Sequence, residues 1–150
     1  MINLSINVEE SATVIKEFIK TYVYNSGCGS VVIGLSGGVD SAVTAVLCKE
    51  ALGPKQVHCL FLPDEATPDV DRKHVNLITK TFDMSCEETD ITSLVEKLTN
   101  TTTPKPDKYA CANMKARARM ILLFAYANIH NCLVCGTSNK SEILLGYFTK

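Results

Sequence analysis

Residues 31–52 constrain the fold more than any other part of the chain. Val31-Val32-Ile33-Gly34-Leu35 is apolar without alternation, and it runs straight into Ser36-Gly37-Gly38-Val39-Asp40-Ser41 and a helical stretch that stops at Gly53-Pro54. A strand with no polar face has to be covered on both sides, the condition of a central strand in a parallel sheet. A buried strand that turns through a glycine pair directly into a helix therefore points to an α/β fold.

The remaining pattern agrees. Ile15, Phe18, Ile19 and Tyr22 fall at i, i+3, i+4 and i+7, which predicts an amphipathic helix over 9–24 with that stripe inward. Residues 57–62 form a second short apolar run before Pro63. Pro68 opens a predicted helix over 68–82 carrying Val70, His74, Leu77, Ile78 and Thr81. A weak strand at 84–86, a short helix at 92–98, a long helix at 109–129 and a last strand at 132–136 follow, and Ser138-Asn139-Lys140-Ser141 starts a final helix. Met120, Leu123, Phe124 and Ala127 make one stripe of the long helix, and Asn100 to Lys108 reads as an exposed loop. Helix–strand alternation of this kind predicts a mostly parallel twisted sheet with helices on both faces, and residues 1–150 show neither repeat nor boundary.

The glycine loop has its own chemistry. Glycines let the backbone approach a ligand closely, and the unpaired N–H groups of a helix start attract phosphate. Ser36 and Ser41 add hydroxyls at that end. A Walker A loop needs Lys before its last hydroxyl, and here that position holds Asp40. A carboxylate beside a phosphate repels it unless a hard cation lies between, so Asp40 suggests Mg²⁺. The plainer alternative is a capped helix, with Ser36 or Asp40 as the cap.

Composition narrows the class. Hydrophobic residues are 46% of the chain, too many for a disordered one. Fifteen Lys and Arg against 16 Asp and Glu leave a net charge of −1, which argues against nucleic-acid or anionic-membrane binding. The longest apolar run, residues 120–127, is far below the roughly 20 residues of a membrane span. The start Met-Ile-Asn-Leu-Ser has no signal-peptide pattern, and seven scattered cysteines (28, 48, 59, 86, 111, 132, 135) then read as reduced thiols of a cytoplasmic protein.

A second motif stands near the other end: Gly136-Thr137-Ser138-Asn139-Lys140-Ser141-Glu142, then Leu145-Gly146-Tyr147-Phe148-Thr149-Lys150. Strand ends at one edge of a parallel sheet face one crevice, so this segment can converge on the loop at 36–41, with Glu142 a second oxygen ligand for the cation at Asp40. A capped helix start with solvated charges is the alternative.

Ser36 to Ser41, SGGVDS, resembles the pyrophosphate loop of the N-type ATP pyrophosphatases. GTSNKSEILLGYFTK is similar to the GTxNKSExxxGYFTK signature of the NAD synthetases within that superfamily, and Ala112-Asn113 with Ala116-Arg117-Ala118-Arg119-Met120 resembles their GN-x-x-AR-x-RM segment. The chain is thereby identified as resembling the N-terminal portion of an ammonia-dependent NAD synthetase, with an adenine-nucleotide alpha-hydrolase-like, Rossmann-like fold. The resemblance implies ATP-dependent amidation of deamido-NAD by ammonia, giving NAD, AMP and pyrophosphate through an adenylate. It implies that Gly34, Leu35, Ser36, Gly37, Gly38, Val39, Asp40, Ser41 and Thr137 hold ATP, that Asp40 and Glu142 bind Mg²⁺, and that Arg117 and Lys150 contact deamido-NAD. It also implies a homodimer, for which the helix at 109–129 offers an apolar surface. The family pattern continues past Lys150, so a single ATP pyrophosphatase/NAD synthetase domain lacking the C-terminal part of the family fold is expected.

Three details qualify the match. Ala112 stands where the family has Gly, and its methyl is expected to crowd that segment. Arg117 and Arg119, two apart, lie about 200° apart around a helix and cannot share a task; the resemblance favours Arg117, leaving Arg119 for the surface or an interface. Cys132 and Cys135 face opposite sides of an extended strand, so they read as structural cysteines. The competing functions are a tRNA-thiolating enzyme that would use those cysteines, and a nucleotide-binding chain without turnover. Asp64-Glu65-Ala66-Thr67-Pro68-Asp69 follows the second strand, where adenine or ribose often lies, and a helix-capping turn accounts for it equally well.

Overall fold

A computed structural model describes residues 6–149. Six helices and four strands follow in the order α1 (Val8–Asn25), β1 (Val31–Gly34), α2 (Val39–Leu52), β2 (Val57–Phe61), α3 (Asp69–Thr81), β3 (Cys86–Glu88), α4 (Thr92–Thr101), α5 (Lys108–His130), β4 (Leu133–Val134) and α6 (Lys140–Leu145), with a 3-10 turn at Pro54–Gln56. The strands form one sheet in the order β3-β2-β1-β4, and every pairing is parallel.

β1 has a neighbour on each side, in register Val31↔Val57 toward β2 and Val31↔Leu133 toward β4. Its residues divide by pleat. Val31 and Ile33 join a core with Ile19, Val23, Ala45, Cys48, Ala51 and Val75 from α1, α2 and α3. Val32 points the other way, into a core with Val95, Ala118, Leu123 and Ala127 from α4 and α5. Val32 and Ile33 are wholly buried, each burial stabilising by about 2 kcal/mol. The absence of alternation in residues 31–35 is thus explained by helices on both faces.

Each expected element is present, but two strands differ from expectation and the helical stripes differ in what they bury. β3 lies at 86–88, two residues later than the pattern around 84–86, and β4 is confined to 133–134. α1 buries Ile19 and Val23, while Phe18 and Tyr22 are exposed side by side, ring centroids 5.7 Å apart. α3 buries Val75 and leaves Val70 and Leu77 outside; α5 buries Ala118, Leu123 and Ala127 and exposes Met120 and Phe124. These helices carry apolar residues around more than one face, so periodicity gives the helix but not the edge of the stripe that meets the sheet. α4 runs on to Thr101, and Asp107 caps α5 by accepting the Ala110 N–H at 2.7 Å, which shortens the exposed loop between them.

From β1 the chain moves one way to β2 and β3, then returns to place β4 on the other side. The connections after β1 and β4 therefore diverge at one point on the carboxyl edge of the sheet, the topological switch point where open α/β sheets bind ligands.

Candidate functional site

The loop after β1 is held by its own hydroxyls. Ser41 Oγ accepts the Ser36 N–H at 3.2 Å, donates to the Gly38 carbonyl at 3.0 Å, and lies 3.1 Å from Ser36 Oγ. Ser36 Oγ in turn accepts the Gly38 N–H at 3.2 Å. Ser41 is buried and its hydrogen is spent inside the loop, so it shapes the site while Ser36 stands at its surface. Gly37 has φ +84°, and a Cβ there would sit 2.7 Å from the Asp71 carbonyl oxygen in the first turn of α3. Only glycine allows that conformation and that approach together.

Neither Ser36 nor Asp40 caps α2. Its N-cap is Gly38, with no side-chain cap among the described residues. An α-helix begins with N–H groups that have no partner within the helix, and among the described residues Gly38 as N-cap supplies no side chain to cover those of the first turn. Asp40, in that first turn, is exposed.

The second motif does converge on the loop. Asn139 Nδ2 donates to Asp40 Oδ2 at 3.4 Å across 99 residues of sequence. The same asparagine caps α6: its Oδ1 accepts the Glu142 N–H at 2.8 Å, and its own N–H donates to Glu142 Oε2 at 3.1 Å. The capped-helix alternative and the convergence thus hold together, and Asn139 stands between the two carboxylates. Magnesium prefers one or two carboxylates, waters and phosphate oxygens to a full protein cage. Asp40 and Glu142 fit that donor set, and among the described residues no group of three potential metal ligands occurs. Thr137 lies between β4 and α6 on the same edge.

Beside the loop is a cleft of about 320 Å³ lined by Gly34, Ser36, Leu60, Thr67, Asp71 and Arg119, among others. Arg119, left to the surface or an interface by the sequence, is half-exposed and lines this cleft. Its Nε donates to the Leu62 carbonyl at 2.9 Å and its guanidinium lies 3.3 Å from Asp64 Oδ2. Lys115, one helical turn before it on α5, reaches the same oxygen at 3.0 Å. Asp64 Oδ1 accepts the Ala66 N–H at 2.9 Å, and Thr67 Oγ1 accepts the Asp64 N–H at 2.9 Å. Burial alone would raise the Asp64 pKa, but the bonds from Lys115 and Ala66 and the nearby Arg119 charge outweigh it and leave it lowered. The segment 64–69 thus reaches the cleft through Thr67 and is also the approach to α3, whose N-cap is Pro68. Sequence reasoning singled out neither Lys115 nor Asp64 within this cluster. The available signal was the i, i+4 spacing of Lys115 and Arg119, which places two cations on one helical face.

Arg117 is exposed on α5, away from its neighbour Arg119, as the helical angle requires. Lys150 lies outside the described residues. The last two motifs meet where Thr149 Oγ1 donates to Asn113 Oδ1 at 2.7 Å, beside a cleft of about 360 Å³ that includes Ala112, Tyr147 and Phe148. Ala112 is exposed within α5, where alanine is the better helix former, so the crowding expected of its methyl does not arise. Cys132 belongs to the α4/α5 core and Cys135 packs against the opposite one, its sulfur 3.7 Å from that of Cys48. The two cysteines of the C-x-x-C pair face apart.

The family model NAD synthase matches residues 11–150. The NH(3)-dependent NAD(+) synthetase of Hyperthermus butylicus is 43% identical over 148 residues, covering 98% of this chain and 54% of that protein. In three dimensions the chain is similar to the NH3-dependent NAD synthetase of Campylobacter jejuni, solved with a nitrate ion (TM-score 0.91, 34% identity, 97% of this chain and 62% of that one). It is likewise similar to the glutamine-dependent NAD+ synthetase of Acinetobacter baumannii, solved with adenosine diphosphate (TM-score 0.92, 29% identity, 100% of this chain and 29% of that one). The chain spans about half the length of the curated relatives it matches. With the match running from residue 11 to residue 150, and with its loop and GTSNKSE motifs meeting at one sheet edge, the chain belongs to the NAD synthase family.

Proposed function

We propose that this chain carries the ATP-binding and part of the deamido-NAD-binding machinery of an ammonia-dependent NAD synthetase. The observation that carries the reading is the 3.4 Å contact between Asp40 and Asn139, which joins the phosphate-type loop to the GTSNKSE segment at the switch point. In the reaction, the nicotinate carboxylate of deamido-NAD attacks the α-phosphorus of ATP and pyrophosphate leaves. Ammonia then adds to the acyl carbon of the adenylate, loses a proton, and expels AMP to leave the amide of NAD.

The chain's own part is to position and to neutralise charge, which is what in-line phosphoryl chemistry requires most. The loop 34–41 and Thr137 hold the nucleotide, with backbone N–H groups at the start of α2 directed at its phosphates. Asp40 and Glu142 would hold Mg²⁺, which when bound would offset the phosphate charge that Asp40 otherwise repels. Arg117 and Lys150 bind the deamido-NAD side. The adenosine diphosphate complex of the Acinetobacter baumannii relative supports a nucleotide in this fold. A homodimer is part of the reading, with the exposed Met120, Ile121 and Phe124 of α5 as its apolar contact. So is a cytoplasmic setting, supported by seven free thiols; among the described residues no helix is long and apolar enough to cross a membrane. The opposed faces of Cys132 and Cys135 weigh against a thiolation chemistry that needs both.

The test is NAD formation from deamido-NAD, Mg·ATP and ammonium with AMP followed in parallel. Equimolar NAD and AMP, dependent on ammonium, is the expected result, and Asp40→Asn should lower kcat/KM for ATP at least about 100-fold. AMP release without NAD, or full turnover in Asp40→Asn, would refute the reading or its metal assignment respectively.

A further inference from the structure

Among the described residues two polar side chains are recorded as buried, Ser41 and Asp64. Ser41 is accounted for by the loop it pins. Asp64 is not, because it holds no place in the reaction and does not line the cleft beside the loop. A buried carboxylate is costly unless paired and fully bonded, and here both carboxylate oxygens have partners. Oδ2 is shared by Lys115 and Arg119, and Oδ1 by the Ala66 N–H and, at 3.4 Å, the Thr67 hydroxyl. Of these partners, Arg119 and Thr67 do line the cleft, Arg119 from α5 and Thr67 from the turn after β2.

Arg119 is therefore clamped twice, through Nε to Leu62 O and through the guanidinium to Asp64. A guanidinium has five N–H donors in a fixed plane, so this clamp uses part of them and aims the plane. An arginine held only by Leu62 would keep its charge and lose its orientation. We propose that Asp64 is a positioning residue for the nucleotide cleft: it fixes Arg119 so that directed N–H donors face the bound ATP, and it holds Thr67, whose hydroxyl hydrogen goes to Asp64 Oδ1, in the cleft wall. This rests on the reading of the cleft as an ATP site, and it adds a residue that acts on the nucleotide without touching it. Lys115 balances the charge so that the aspartate does not cancel Arg119 outright.

The experiment is a double-mutant cycle on the Kd for Mg·ATP, measured by calorimetry on the purified protein, with Asp64→Asn, Arg119→Ala and both together. Each single change is expected to raise Kd about ten-fold, and the double change to raise it by the same ten-fold instead of a hundred-fold, since the two act through one contact. The KM for deamido-NAD should stay within about two-fold, which a general loss of structure would not allow. An unchanged Kd in Asp64→Asn, or multiplying effects in the double variant, would overturn the positioning role. If Asp64→Asn does not fold, Arg119→Lys decides: it keeps the charge and loses the fork, and an unchanged ATP Kd there overturns the proposal as well. Failure of the unaltered protein to bind Mg·ATP would sink the ATP reading itself, whereas binding indifferent to residues 64 and 119 sinks only the positioning role.

Discussion

Replacing Gly37 by alanine tests whether the loop after β1 is held in its shape by backbone chemistry. Two costs apply there. At φ +84° a side chain must sit in the left-handed region, about 1–2 kcal/mol for an L-residue, partly offset by about 0.4–1 kcal/mol of lost unfolded-state freedom. The added Cβ would also lie 2.7 Å from Asp71 O, 2.9 Å from Asp71 Cα and 3.1 Å from Asp71 C. Those are backbone atoms in the first turn of α3 and cannot rotate aside. Forcing them apart costs roughly 1–3 kcal/mol, as overpacking does elsewhere. Gly27 supplies the control, since it has φ +74° and nothing within 4 Å of an added Cβ. Gly27→Ala should therefore cost about 1 kcal/mol or less, and Gly37→Ala roughly 2–4. For a domain of this size that difference lowers Tm by about 4–10 °C more in the second variant. Calorimetric melts of both variants, with Mg·ATP Kd measured alongside, check it: Gly37→Ala should also weaken ATP binding, and Gly27→Ala should not. Melting temperatures within about 1 °C of each other would refute the reasoning that Asp71 seats against Gly37.

Other expected outcomes follow from burial and charge. The Asp64 pKa is lowered in the folded protein, so its contribution is complete above the unfolded carboxylate value near 3.9 and is lost as pH falls through the folded value; urea midpoints between pH 2 and 6 should show a shallower acid loss in Asp64→Asn. Burial pushes the Cys59 and Cys86 thiols up to about 11 and about 12, whereas the hydrogen bond with Cys48 lowers Cys135. Iodoacetamide at neutral pH should therefore mark Cys135 well before Cys59, read by peptide mass spectrometry. Leu123 is buried against Gly34 and lines the cleft beside the loop; Leu123→Ala should cost about 3 kcal/mol in urea unfolding. Asp40→Asn, at an exposed position, should change stability by no more than about 0.5 kcal/mol while removing turnover.

What the sequence disclosed and what it withheld divide along sequence separation. The strand–loop–helix at 31–52 was legible because its determinants are local: an apolar run, two glycines and a helix start within 22 residues. The meeting of residues 36–41 with 136–142 was legible too, since a parallel sheet leaves all strand ends at one edge. The Asp64–Lys115–Arg119 cluster was not. Its members come from the turn after β2 and from α5, 55 residues apart for Asp64 and Arg119, and nothing in either segment names the other. Arg117 and Arg119 stand out in the sequence as an i, i+2 pair, but the cation that shares a helical face with Arg119 is Lys115. Phe18 and Tyr22 show the same limit in the core: spacing put them on the stripe of α1, but the packing of α1 against α2 and β1 covers Ile19 and Val23.

The site also divides by how firmly its parts are held. The hydroxyl network from Ser36 to Ser41 closes on itself within six residues and includes a buried oxygen, so the loop has its shape before any ligand arrives. Binding to such a loop loses little to ordering. Arg119 and Thr67 are fixed likewise by Asp64, Arg119 through a carboxylate that solvent scarcely reaches and Thr67 through both the backbone N–H and that carboxylate. Asp40 is the exception: it is exposed, and its one recorded side-chain bond is the 3.4 Å contact to Asn139, at the long end of hydrogen-bond geometry. A carboxylate held that loosely can turn toward a cation at small cost, and Asn139 would then keep Glu142 in place through the α6 capping box. On the proposed reading, in which the loop holds ATP and Asp40 a cation, rigid donors beside an adjustable carboxylate suit a reaction in which the phosphates must be held still while charge shifts from the α-phosphorus to departing pyrophosphate.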